Sequence, residues 1–86
     1  MEKSRLFSNF GNYEIQGKLP LAELTGFNRV LIENHTGVLA YSQEVITVKV
    51  SCGSLQINGQ NMMLAEMSRE QLVITGQIEG VQVHRR

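Results

Sequence analysis

Residues 44–60 read EVITVKVSCGSLQINGQ and give the clearest indication of the fold class of this chain. Apolar and polar residues alternate along it with a period of two, and the β-branched residues between 45 and 50 favour extended backbone. Glycine follows at 53 and an Asn-Gly pair at 58–59, and both residue types tolerate the positive φ angles of tight turns. The pattern predicts short β-strands joined by tight connections.

The same alternation extends in both directions, over RVLIENHTGVLAYS (29–42) and QLVITGQIEGVQVH (71–84). Asn- and Gly-containing turn signals fall between and within the runs, at 34–37, 52–54, 58–61 and at Gly76 with Gly80. We therefore expect an all-β fold, a single small domain of about seven or eight short antiparallel strands curled into a sandwich-like or solenoid-like roll.

The N-terminal stretch has a different pattern. Residues 2–10 place Leu6, Phe7 and Phe10 at helix-like spacing, but a glycine follows before three turns are complete. A helix this short is marginal on its own. We expect residues 1–11 to form a separate N-terminal segment, with a short helix and a flexible stretch as the two alternatives.

A second stretch of helix-forming residues, MMLAEMSREQ at 62–71, lies between two strand-like runs. Because of these neighbours we expect a strand here, with a turn at 68–70. Residues 12–86 are then one continuous β domain.

Four short segments share the pattern apolar, any, Ile, polar, Gly or Asn. These are YEIQG, VLIEN, LQING and LVITG, which begin at residues 13, 30, 55 and 72. They indicate either a repeated strand-and-turn unit or the chance matches that any β-meander produces. In both cases residues two apart face the same side of a strand, so we expect the four isoleucines on the buried side of the sheet: Ile15, Ile32, Ile57 and Ile74.

Charge and cysteine usage restrict the class of protein. Eight basic residues balance eight acidic ones within 86 residues, so no net charge attracts nucleic acid or anionic lipid. The single cysteine cannot form an internal disulfide, which favours a reducing compartment, and the cytoplasm is our expectation. The sequence shows neither the apolar core of a signal peptide nor a membrane span.

Candidate chemistry is sparse, and we expect a protein that is not an enzyme and needs no cofactor or metal. His35 in IENHTG has Glu33 and Thr36 beside it, but a metal site requires three or four ligands. We expect a hairpin turn at 34–37, with His35 exposed at its tip or bonded to the backbone. Cys52 has neither a base nor a helix N-terminus in view, which favours a half-buried structural thiol over a nucleophile.

Three methionines, Met62, Met63 and Met67, form a patch that is compatible with an adaptable docking surface or with core packing. We favour the core, because a small β domain needs its apolar side chains inside. Open strand edges are the other candidate for interaction, since unpaired N–H and C=O groups accept further strands. Lys49 is positioned to guard one edge, but the runs EVITVKV and QLVITGQI look open. These features predict self-association or the addition of a partner's strand.

Three segments carry a resemblance to a known family: VLIENHTGVLAYS (30–42), SLQINGQNM (54–62) and LVITGQIEGVQV (72–83), preceded by LPLAELTG (19–26). From Pro20 onward the chain resembles the YabP/YqfC family of spore-forming bacteria, and the YqfC-like branch in particular. The resemblance implies a small sporulation protein made in the mother cell, without recognised catalytic activity. It also implies a link with a membrane-anchored protein of the YqfD type.

Our first interpretation is therefore a sporulation scaffold or adaptor that acts by homo-oligomerisation through strand edges or by binding a protein partner. The alternative is a small β-barrel that binds a small ligand or nucleic acid, although Tyr13, Phe27 and Tyr41 are too dispersed to form a stacking platform. An unrecognised enzyme that uses Cys52 or His35 comes third.

Overall fold

The computed structural model describes residues 19–86, and it is all-β over that range. All strand pairs are antiparallel, and they form one open sheet in the order β1-β2-β6-β5-β4-β3. The strands are β1 (Leu21–Thr25), β2 (Arg29–Glu33), β3 (His35–Tyr41), β4 (Val45–Val50), β5 (Gly53–Met67) and β6 (Gln71–Arg85). The predicted fold class is confirmed, and residues 19–86 contain six strands where seven or eight were expected for the chain.

The strand count is lower because two predicted turns are bends inside long strands. The chain runs extended through 58–61 as part of β5 and through Gly76 and Gly80 as part of β6, and each of these strands has 15 residues. Register shifts between Asn58 and Gly59 and between Gln60 and Met63 mark the bend in β5. Extra residues of this kind kink a strand and increase its twist without ending it.

Two glycines permit this bend, because backbones approach each other where they lie. A Cβ atom on Gly59 would lie 2.1 Å from the carbonyl oxygen of Gln77. Gly76 has a φ of 138°, and its Cβ would lie 2.7 Å from the Asn61 oxygen and 2.7 Å from the Met62 Cα. Any side chain at these positions would push the two strands apart.

The β5–β6 hairpin is the centre of the sheet. β2 pairs with the first part of β6, from Thr75 opposite Arg29 to Gln71 opposite Glu33. β4 pairs with the first part of β5, from Gly53 to Asn58. The two flanking hairpins, β1–β2 and β3–β4, are therefore attached to different parts of the central hairpin, one on either side of its bend.

The bend lets one face of the sheet close on itself around a single core. This core draws on β2, β4, β5 and β6, and its members are Val30, Ile32, Ile46, Val48, Val50, Leu55, Ile57, Met62, Leu72, Ile74 and Ile78. Partly buried Val38, Cys52 and Leu64 pack against it. A single open sheet that curls in this way agrees with the all-β roll expected from the alternation.

The predicted burial of the repeated isoleucines is confirmed for the three that lie within the described residues. Ile32, Ile57 and Ile74 are fully buried in the core. The strand and turn predicted over residues 62–71 are also confirmed, because β5 runs to Met67 and β6 begins at Gln71. The predictions for Ile15 and for a helix or flexible stretch in residues 1–11 lie outside the described residues.

A substitution at the bend tests this architecture. Gly76→Ala forces a Cβ into the Asn61–Met62 backbone at a φ that L-residues rarely adopt, so we expect the free energy of unfolding to fall by about 2 kcal/mol or more. Gly80→Ala is the matched control, because its Cβ meets no atom within 4 Å. The control is expected to be neutral or slightly stabilising. Urea denaturation of both variants measures the difference, and equal losses would contradict the close approach at Gly76.

Candidate functional site

His35 is buried at the start of β3, with 6% of its surface exposed. Its Nε2 lies 3.0 Å from the backbone carbonyl oxygen of Ser68, in the turn between β5 and β6. The prediction of an exposed hairpin tip is wrong, because β2 and β3 pair with different strands and not with each other. The predicted backbone bond is present, and it joins β3 to a turn 33 residues further along the chain.

Asn34 makes the crossing from β2 to β3 with a φ of 66°, a conformation that asparagine tolerates better than most residues. Its backbone N–H donates to the Glu70 carbonyl at 2.7 Å, and its side-chain amide donates to the Leu19 carbonyl at 2.8 Å. Together with His35 it fastens the β5–β6 turn against the start of β3. The motif IENHTG therefore has a structural role, because it forms the connection from β2 to β3.

Glu33 and Thr36, the neighbours considered for a polar cluster with His35, bond elsewhere. The Glu33 carboxylate accepts a hydrogen bond from the Gln71 side chain at 3.1 Å, and the Thr36 hydroxyl donates to the Lys49 carbonyl at 3.2 Å. Within residues 19–86, no group of three or more His, Cys, Asp or Glu side chains is placed to hold a metal ion. Cys52 is a free, half-buried thiol in the turn after β4.

The three methionines have different environments. Met62 is 1% exposed and belongs to the core, as we favoured for the patch. Met63 and Met67 are each 54% exposed, so the expectation of core packing is wrong for these two. Met62 belongs to the core and Leu64 packs against it, whereas Met63 between them faces the opposite side of β5, so these neighbours in sequence do not form a common patch.

Lys49 does not guard a strand edge. It lies on β4, which pairs with β3 on one side and with β5 on the other, so the run EVITVKV is not open. The first part of β6 is likewise paired on both sides, with β2 and β5. The edge strands are β1, with five residues, and β3, whose two register shifts make it irregular. Short and bulged edge strands accept further strands poorly.

A regular open edge lies instead along the second part of β6. The Arg86 N–H donates to the Cys52 carbonyl at 3.1 Å, which fixes the even-numbered residues of this part as those bonded to β5. By the alternation of an antiparallel ladder, Val81, Val83 and Arg85 direct their N–H and C=O groups away from β5. Among the described residues no strand pairs with this outer side beyond Ile78, whose N–H bonds to the Phe27 carbonyl.

Apolar side chains line the same open edge. Val81 lies opposite Ile57 and Val83 opposite Leu55, so both valines share the core-facing side of the sheet. They are nevertheless 37% and 65% exposed, whereas Ile57 and Leu55 are buried. The apolar face of the sheet therefore extends beyond the buried core to the outer edge of β6.

An apolar groove of about 230 Å³ opens beside this margin. Pro20 and Ala22 form one wall, while Val50, Leu55 and Val83 contribute to the other. A neighbouring depression carries basic residues, with Lys49, Arg85 and Arg86 around Leu39. One end of β6 thus combines backbone groups that have no strand partner within residues 19–86, exposed valines and positive charge.

Sequence reasoning missed this site because its parts come from distant segments. The groove joins residues near 20 with residues near 50 and 83. Only the alternation EGVQVH (79–84) at the end of β6 carried a local signal, because a period of two predicts a strand there.

The described residues form a small all-β domain with an open strand edge at the end of β6, and comparisons with known proteins place the chain in a family. The YabP family model matches residues 18–86. The chain therefore belongs to the YabP family, in agreement with the resemblance seen in the sequence. This membership indicates a sporulation-related protein.

One curated relative is the uncharacterized protein YqfC of Bacillus subtilis (strain 168). It is 26% identical over 68 residues, which cover 79% of this chain and 73% of the relative. No solved structure matches the chain. In the part that the structure describes, no helix is long and apolar enough to cross a membrane.

The buried histidine gives a test of the site's framework. His35→Ala removes the bond to Ser68 and leaves a space between β3 and the β5–β6 turn, so we expect the free energy of unfolding to fall by about 2 kcal/mol. His84→Ala is the control, because His84 is exposed and a surface change is expected to stay within about 0.5 kcal/mol. Urea denaturation compares the two, and an unaffected His35→Ala protein would contradict a fastening role.

Proposed function

We propose that this chain is a non-enzymatic sporulation protein that acts in the mother cell as an adaptor or scaffold module. It works by accepting an additional β-strand along the outer side of β6, from residue 81 to residue 85. The observation that carries the proposal is the set of outward N–H and C=O groups at Val81, Val83 and Arg85, which adjoins exposed valines. Strand addition supplies backbone hydrogen bonds and covers apolar side chains in one step.

The surroundings of this edge support strand addition over loose surface contact. The groove between Ala22 and Val83 offers room for side chains of an added strand on the core-facing side. Arg85 and Arg86 lie at the end of the edge, so an incoming segment with acidic residues there gains charge complementarity. The partner is a protein, and family resemblance points to a membrane-anchored sporulation protein of the YqfD type. The chain itself then acts in the cytoplasm and reaches the membrane through that partner.

A second candidate is the binding of a small apolar ligand in the same groove. The apolar walls formed by Val50, Leu55 and Val83 favour it. Its volume of about 230 Å³ lies below the roughly 300–1,000 Å³ of typical ligand pockets. The open side along β6 also leaves such a ligand exposed to water, so strand addition remains the better-supported function.

A proline substitution tests strand addition. Val83→Pro removes an outward N–H without removing a bond to β5, so the fold is expected to persist while partner capture is lost. Val83→Ala is the matched control, because it shortens the same side chain but keeps the N–H. Crosslinking and pull-down of the tagged full chain from sporulating cells is the measurement, with circular dichroism to verify folding of each variant.

We expect wild type and Val83→Ala to recover a specific protein, and Val83→Pro to lose at least most of it. Equal capture by the folded proline variant would exclude the edge as the binding surface. Expression of the chain confined to vegetative growth would exclude the sporulation role.

A further inference from the structure

The open edge of β6 is complementary to itself. Within the part of the chain that the structure describes, Ile78 is the last residue of β6 whose outward N–H has a partner, and the outward positions that follow are Val81, Val83 and Arg85. These three residues are evenly spaced about Val83. An antiparallel copy of the same edge therefore meets every outward group with a matching one when Val83 lies opposite its counterpart.

Charge along the edge also favours an antiparallel copy. Glu79 lies near its beginning, and Arg85 and Arg86 lie at its end. All three side chains are exposed. Antiparallel pairing brings the acidic end of each strand towards the basic end of the other, whereas parallel pairing would place like charges together.

The side chains on the core-facing side agree with this arrangement. Val83 is 65% exposed and Val81 37%, although both continue the row that contains buried Leu55 and Ile57. In the paired arrangement the two Val83 side chains contact each other across the interface. Each Val81 then lies opposite an Arg85, whose aliphatic stem covers apolar surface while its charged end stays in water.

We propose that two copies of this chain pair through the outer edges of β6, antiparallel and centred on Val83. The contact is isologous, since the same surface is used by both copies, and it closes a dimer rather than extending a filament. It joins two six-stranded sheets into one continuous sheet. The inference rests on the proposed function in that both use the same edge, but here the occupant is a second copy of the chain.

Sedimentation of the purified full chain over a concentration series tests the dimer. We expect a species of twice the 9.7 kDa monomer mass to become dominant as concentration rises. Val83→Pro is expected to raise the dimer dissociation constant at least about tenfold while the variant stays folded, because a central N–H and its hydrogen bond are lost. A wild-type chain that stays monomeric up to millimolar concentration would overturn the proposal. The same conclusion holds if the chain is monomeric because residues 1–18 occupy the edge.

Disulfide trapping tests the register. In a Cys52→Ser background, Val83→Cys places two thiols on opposite residues whose Cα atoms are about 5.5 Å apart, within reach of a disulfide. His84→Cys is the matched control, since its two Cα atoms would lie about 8 Å apart. We expect rapid crosslinking at residue 83 and little at residue 84, and equal or reversed efficiencies would overturn the register.

The experiments distinguish a failure of the proposed dimer from a failure of the proposed function. A chain that is monomeric when purified, yet captures a cellular protein in a manner sensitive to Val83→Pro, refutes the dimer and leaves strand addition intact. A dimer trapped at residue 83 in the absence of any captured protein supports the dimer and counts against an adaptor role.

Discussion

At the bend of the β5–β6 hairpin two backbones approach each other closely, and this close approach determines how the other strands attach to the sheet. Gly76 faces the backbone of Asn61 and Met62, and Gly59 faces the carbonyl of Gln77. Because neither glycine carries a side chain, both long strands bend together and keep their pairing. β2 and β4 can then attach on different sides of the bend, and their apolar faces meet in one core. The open edge is a consequence, since β2 covers β6 only as far as Thr75.

Within residues 19–86, no strand covers the outer side of β6 beyond Ile78. A domain of this size buries only roughly 60–65% of the surface of its unfolded form, so a margin of this kind is expected to stay available for contacts. The two terminal strands of the sheet are blunted by shortness in β1 and by bulges in β3. The second part of β6 is regular, apolar on one side and unblunted. A protein that keeps such an edge in a crowded cell is expected to use it for association.

The features of the fold that could be predicted from the sequence are those that depend on residue periodicity and local chemistry. The alternation of residues 44–60 was sufficient for the all-β class and for burial of Ile57, because strand facing depends only on spacing by two. The Asn-Gly pair at 58–59 was misread as a turn, since the same residues serve in turns and in bulges and only the partner strand distinguishes them. His35 was misplaced for a related reason, because its burial depends on a bond to distant Ser68. The groove could not be predicted, since it joins three segments that no local pattern connects.

Amide hydrogen exchange of the dilute, monomeric protein shows whether the edge of β6 is open, because each N–H on β6 reports its own bonding. We expect an alternating profile at the end of β6, with slow exchange at Gln82 and His84, which bond to β5, and fast exchange at Val81 and Val83, which face outward. Uniform protection across these four residues would mean that another strand already covers the edge. Uniformly fast exchange would mean that this part of β6 does not pair with β5, and either result would rule out an open edge on a paired strand.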